Sequence, residues 1–205
     1  MLEVFRLCAL EAKARSANNP FQRLLAAFGV KPKLMAAECG VYRGQSLVAC
    51  CNIARDLGVD VAFVGLDSFE GLPPLSETDL EFAPDGIAYR DKTFFADAPL
   101  DEVQATLNAA NLSNSVHLLR WLPEAAYDFV NIDCDLYEPH LECLEYFYPR
   151  TKSGGIIFFD DYHSADFPMA KQAIDIFLSD KPETLLHLRY GDEGVNHTKT
   201  YIQKY

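Results

Sequence analysis

Apolar positions along this chain follow two periods. Leu2, Phe5, Leu7, Leu10 and Ala14 recur at roughly helical spacing, Ser16 to Pro20 interrupts them, and Phe21 to Phe28 resumes the pattern before Gly29. The spacing predicts a helical lead-in over residues 1–30. Its simplest role is to cover a core; packing against another copy or capping a site are the alternatives. From Leu34 onward short apolar runs take over: Leu34–Ala37, Val61–Leu66, Val116–Leu119, Tyr127–Ile132 and Gly155–Phe159. Helix-spaced segments lie among and after them, at Ser46–Leu57, Leu100–Ala110, Pro139–Tyr148 and Pro168–Leu178. Glu183–Tyr190 and His197–Gln203 read as closing strands. Alternation of strands with helices predicts an α/β fold, doubly wound, with a parallel sheet covered on both faces. Continuous apolar strands are what two-sided burial requires.

The stretch 70–99 has no clear period. Pro73, Pro74, Pro84, Gly86 and Pro99 punctuate it, and Phe69, Leu72, Leu75, Phe82, Tyr89, Phe94 and Phe95 make it apolar. A loop of that length in a compact domain is expected to be functional or disordered; its aromatic content predicts a lid-like loop. No repeat or low-complexity segment divides the chain, so 1–205 reads as a single domain.

Ligands of open parallel sheets bind beyond the carboxyl ends of the strands. Four strand runs end there in acids: Glu38, Asp67, Asp133 and Asp160. Acids gathered on one rim need cations or hydrogen-bond donors to offset their repulsion and desolvation. Composition narrows the partners. Eighteen Lys plus Arg against 30 Asp plus Glu give a net charge of −12, which opposes nucleic acid and anionic membrane as partners. At 49% hydrophobic and 23% charged the chain is globular. Cys8, Cys39, Cys50, Cys51, Cys134 and Cys143 form no C-x-x-C pair and read as free thiols. No signal peptide opens the chain and no apolar run approaches a membrane span, so a cytoplasmic location is expected.

Three constellations can carry chemistry. In Glu38-Cys-Gly40-Val-Tyr42-Arg-Gly44-Gln-Ser46, Gly40 permits a tight strand-to-helix turn and close approach to a ligand. The third glycine of a dinucleotide fingerprint and the Gly-Lys of a P-loop are missing. Asp67, followed by Ser68, can accept hydrogen bonds from a ribose diol or serve as a turn residue. Asp133-Cys-Asp135 and Asp160-Asp161 supply hard oxygens suited to Mg²⁺, with Mn²⁺ or Ca²⁺ as alternatives. Asp133, Asp160 and Asp161 would be the ligands and Asp135 a proton acceptor beside them, unless Asp135 or Asp161 caps the next helix. His140 and His163 lie near the rim, and His163 and His197 stand in reserve as bases. Trp121 reads as core rather than a stacking platform. Cys134, between two acids, is disfavoured as a nucleophile.

Four strings, Glu38-Cys-Gly-Val-Tyr-Arg-Gly44, Gly65-Leu-Asp-Ser-Phe-Glu-Gly-Leu-Pro73, Asp133-Cys-Asp-Leu-Tyr-Glu138 and Ser153-Gly-Gly-Ile-Ile-Phe-Phe-Asp-Asp-Tyr162, resemble the class I S-adenosylmethionine-dependent methyltransferases, and more narrowly the macrocin O-methyltransferase family. The resemblance covers roughly residues 34–180, and the second and third strings are its most specific part. It implies a Rossmann-like seven-stranded sheet with the last strand antiparallel. It also implies S-adenosylmethionine near Glu38, Gly40, Tyr42, Ser46, Asp67 and Ser68, Mg²⁺ at Asp133, Asp160 and Asp161, and Asp135 as general base. The chain is shorter than the family at its N-terminus and lid, and compressed around Arg120 to Pro123, so the acceptor does not carry over. The expected activity is metal-assisted methyl transfer to a hydroxyl of a small molecule, a sugar or phenol of natural-product type. Self-association stays open. The alternatives are a non-catalytic module of the same fold and an NAD-dependent oxidoreductase.

Overall fold

The computed structural model describes residues 1–85, 94–190 and 197–205, excluding the side chains of Tyr190 and His197. Two helices lead in, α1 (Leu2–Asn18) and α2 (Pro20–Ala27). Asn19 separates them: its Oδ1 accepts from the amides of Phe21 and Gln22, and Pro20 starts the second helix. There follow β1 (Lys33–Cys39), α3 (Gln45–Leu57), β2 (Asp60–Leu66), α4 (Glu77–Phe82), α5 (Leu100–Ala109), β3 (Val116–Leu119) and β4 (Tyr127–Ile132). The chain closes with α6 (Tyr137–Phe147), β5 (Thr151–Phe159), α7 (Pro168–Leu178), β6 (Leu186–Tyr190) and β7 (His197–Gln203).

The seven strands form one sheet in the order β3-β2-β1-β4-β5-β7-β6. Neighbours are parallel from β3 to β5, while β7 runs antiparallel to both β5 and β6. The expected architecture, with only the last strand reversed, is the one observed. The order turns back between β1 and β4, which opens a crevice at their carboxyl ends.

Helices α1, α3 and α5 cover one face. Phe5 of α1 is fully buried, edge-on to Phe129 with centroids 5.1 Å apart and stacked at 6.1 Å on Phe63. Helices α6 and α7 cover the other face, where Tyr127 meets Phe147 at 5.0 Å. Every residue of β4 is buried, as a central strand covered on both sides must be.

Two sequence expectations need correction here. The buried face of α1 is Val4, Phe5, Cys8 and Ala9, not the leucines; Leu2, Leu7 and Leu10 are exposed. Helix α2 buries no residue, so only α1 covers the core. The segment 70–99 also contains a helix that its spacing did not reveal. Six residues are too few for a period to show, but Ser76 and Asp79 form a capping box around its first turn. Tyr89 lies outside the described residues. All six cysteines are free thiols.

Candidate active site

Strand register aligns the acids. Cys39 pairs with Leu66 and Ile132, and Ile132 with Phe159. The next residue of each strand (Gly40, Asp67, Asp133, Asp160) therefore stands at one level on the rim. Gly40 has φ +86°, and a Cβ there would lie 1.7 Å from the carbonyl oxygen of Asp133. Only glycine lets the β1–α3 turn rest against the β4–α6 loop.

Glu38 is buried at the centre of the rim. Its Oε2 accepts from the Ser46 hydroxyl at 2.7 Å and its Oε1 from the Asn131 amide at 2.8 Å. Burial pushes its carboxyl up to about 7, against the pull of those two hydrogen bonds. Asn131 Oδ1 is buried without a described partner, so an acceptor facing no donor lies beside a carboxylate. Asp67 anchors the turn: Oδ2 accepts from the amides of Val41 at 2.8 Å and Tyr42 at 3.1 Å, and Oδ1 from Phe69 at 2.7 Å. Of its two sequence readings, these hydrogen bonds display the turn role and leave Oδ1 capacity for one more donor. The Ser68 hydroxyl donates to Gly71 O at 3.2 Å and accepts from the Glu70 amide. The Tyr42 hydroxyl reaches Asp97 at 3.3 Å, and its ring meets Phe95 edge-on. The 70–99 segment thus touches the glycine turn.

Asp133, Asp160 and Asp161 each offer a carboxylate oxygen, and the three lie within 4.8 Å of one another. Burial, then the neighbouring carboxylates, raise the Asp133 carboxyl. The same causes bring Asp161 to about 7 and Asp135 to about 8. Asp135 adopts φ +61°, and its amide donates to Asp161 Oδ2 at 3.1 Å. Neither acid caps the following helix: Leu136 and Phe167 occupy those N-cap positions, without a side-chain cap. Lys199 of β7 holds Asp160, with Nζ 2.6 Å from Oδ2 and 3.0 Å from the carbonyl oxygen. Three carboxylates this close together, all hard oxygen donors, fit a divalent cation such as Mg²⁺ or Mn²⁺.

His140 is fully buried. Its Nδ1 donates to Leu136 O at 2.9 Å, while Nε2 has no hydrogen-bond partner and faces Asp161 Oδ2 at 3.9 Å. Burial pushes the imidazole toward its neutral form. His163 is exposed, and its Nε2 is 3.0 Å from the buried Thr200 hydroxyl. The side chain of His197 lies outside the description. Burial raises the Cys134 thiol, in keeping with an inert sulfur. Trp121 corrects its sequence reading: it is 66% exposed and lies two residues beyond the end of β3 at Leu119. A cavity of about 250 Å³ opens beside Arg43, Gln45 and Glu102, and its lining includes none of the rim acids. Sequence reasoning missed Lys199, Asn131 and Asp79. Strand pairing alone reveals the first two; the Ser76-to-Asp79 spacing signalled the third.

The methyltransferase domain family matches residues 37–162, more than half of the chain. No curated protein matches it. Among solved structures, the O-methyltransferase NovP is 23% identical with a TM-score of 0.72, the alignment covering 99% of this chain and 78% of that one. The calicheamicin methyltransferase CalS11 is 19% identical at a TM-score of 0.62, covering 96% and 91%. TomG, an O-methyltransferase from Streptomyces achromogenes involved in tomaymycin synthesis and solved with SAM, is 12% identical at 0.54, covering 98% and 79%. These likenesses carry the fold, and the family match carries the assignment: the chain belongs to the methyltransferase domain family.

Proposed function

We propose that this chain is an S-adenosylmethionine-dependent, divalent-metal-assisted O-methyltransferase of the macrocin type, acting on a hydroxyl of a small sugar or phenolic molecule. The observation that carries the reading is the convergence of Asp133, Asp160 and Asp161 within 4.8 Å, flush with the Gly40 turn and next to Asp135. The names of the structural neighbours, O-methyltransferases of calicheamicin and tomaymycin chemistry among them, support oxygen as the acceptor atom.

Asp133, Asp160 and Asp161 would hold a divalent cation that lowers the pKa of a neighbouring hydroxyl, and bound S-adenosylmethionine would supply the electrophilic methyl, leaving as S-adenosylhomocysteine. The chain's own groups do the rest. Gly40 leaves room for a ligand against the turn. Glu38 and the unpaired Asn131 Oδ1 offer acceptors to an ammonium group, and Asp67 offers one to a ribose hydroxyl. Asp135, beside the three aspartates and held at φ +61°, takes the proton from the acceptor hydroxyl as general base. Tyr42 and Phe95 pack edge-on beside the glycine turn and would help to exclude water from it, which serves alignment of the reacting atoms.

Titration calorimetry with S-adenosylhomocysteine, followed by methyl-transfer assays on hydroxylated sugars and phenols with and without a chelator, tests the reading. It expects saturable binding, activity that the chelator removes, and a fall of at least about 100-fold in kcat for Asp135→Asn. An absence of binding overturns the methyltransferase reading. Full activity in Asp135→Asn overturns the base assignment alone.

A further inference from the structure

Asp79 is 1% exposed although it lies in a six-residue surface helix. Its Oδ2 accepts from the amide and the hydroxyl of Ser76, both at 2.8 Å, which closes the capping box of α4. Its Oδ1 reaches out of that helix and accepts from the amide of Tyr137 at 2.8 Å, across 58 residues of sequence. Tyr137 is the first residue of α6, and the local N-cap, Leu136, offers no side-chain cap. Asp79 therefore does for α6 what a local Asp or Ser would do: it satisfies a first-turn amide and sets negative charge at the positive end of the helix.

The capped turn follows directly on Asp135. A left-handed φ at a residue with a side chain persists only when its surroundings hold it. On one side Asp135 is held by the hydrogen bond its backbone amide donates to Asp161 Oδ2. On the other, Leu136 is buried in a small apolar cluster with Phe167 and Met169, packed against Leu72, Phe82 and Phe95 of the 70–99 segment. The Asp79 bond is the polar member of that same contact.

We propose that Asp79 is a positioning residue that joins α4 to the loop carrying Asp135, so that this helix and the base are held as one unit. The inference rests on the methyltransferase reading for its meaning, not for its geometry.

Hydrogen exchange of the full-length chain tests the coupling directly. In Asp79→Ala, exchange is expected to rise at least about tenfold in two separate segments, residues 77–82 and 135–140, with β1 and β4 unchanged. In Ser76→Ala, which breaks the capping box but leaves the Asp79 to Tyr137 bond, only residues 77–82 should loosen. In Asp79→Asn, whose side-chain oxygen can still accept from Tyr137, residues 135–140 should keep their protection. A rise in Asp79→Ala that stops at residue 82, an even rise that includes β4, or loss of protection at 135–140 in Asp79→Asn overturns the proposal. Once an acceptor is in hand, Asp79→Ala should lower kcat while S-adenosylhomocysteine affinity stays within twofold of the parent; equal kcat overturns the link to the base. If the parent chain binds no S-adenosylhomocysteine, the methyltransferase reading falls, while the exchange result still decides the coupling.

Discussion

Lys199 and Asp160 meet at 2.6 Å in the acidic cluster, and this pair decides how the site treats a cation. The ammonium offsets one carboxylate charge and competes for an oxygen that a divalent ion would use. Two unit charges 4 Å apart interact by about 4 kcal/mol at an effective dielectric of 20. Lys199 keeps 23% of its side chain exposed and can turn toward water, so only part of that cost is felt. Lys199→Met is expected to tighten Mn²⁺ binding by roughly tenfold or more, read by titration calorimetry. Unchanged or weaker binding would mean that Lys199 orients Asp160 rather than competing for it. The acids themselves were legible in the sequence because each ends an apolar run. Lys199 was not, because a lysine in an antiparallel closing strand reveals its neighbour only when the register is known. Trp121 was misread for a related reason: one aromatic residue after a strand has no periodicity to say which way it faces.

Among the elements, α1 shows what a pattern can and cannot fix. Its helical character was plain, but its buried face is rotated around the axis from the leucines, onto Val4, Phe5, Cys8 and Ala9. Phe5 is the residue that docks it, buried between Phe63 and Phe129. Phe5→Ala should cost about 3–5 kcal/mol of unfolding free energy, measured by denaturant titration, because a large ring leaves a cavity among rigid neighbours. A loss below about 1 kcal/mol would mean that α1 contributes little to the core. The strands β3 and β4 were readable to the residue, because burial writes itself as an unbroken apolar run; β5 begins at Thr151, four residues before its run, where the sequence is polar. The short helix α4 was hidden, since six residues cannot display a period and its buried acid is held by α6, far away in sequence.

For the whole molecule, the acidic rim makes stability depend on pH. Asp135 is raised from 3.8 to about 8 in the folded chain. Between those values the folded state keeps a proton that the unfolded state has lost, so this stabilisation is complete below the unfolded pKa and disappears as pH rises through the folded one. His140, buried and with a lowered pKa, tilts the profile the other way, and a difference between variants cancels it. In chelator-treated buffer, the melting temperature of Asp135→Asn relative to the parent should climb as pH goes from 5 to 8.5. A pH-independent difference would contradict the burial and crowding that raise this group. No described helix is long and apolar enough to cross a membrane.

Whether the rim is a cation site is tested most directly by titration of Mn²⁺ into the chain saturated with S-adenosylhomocysteine. One saturable ion per chain is predicted, with binding weakened at least about tenfold in Asp161→Asn. No binding by the parent chain, or equal binding by the variant, would contradict it.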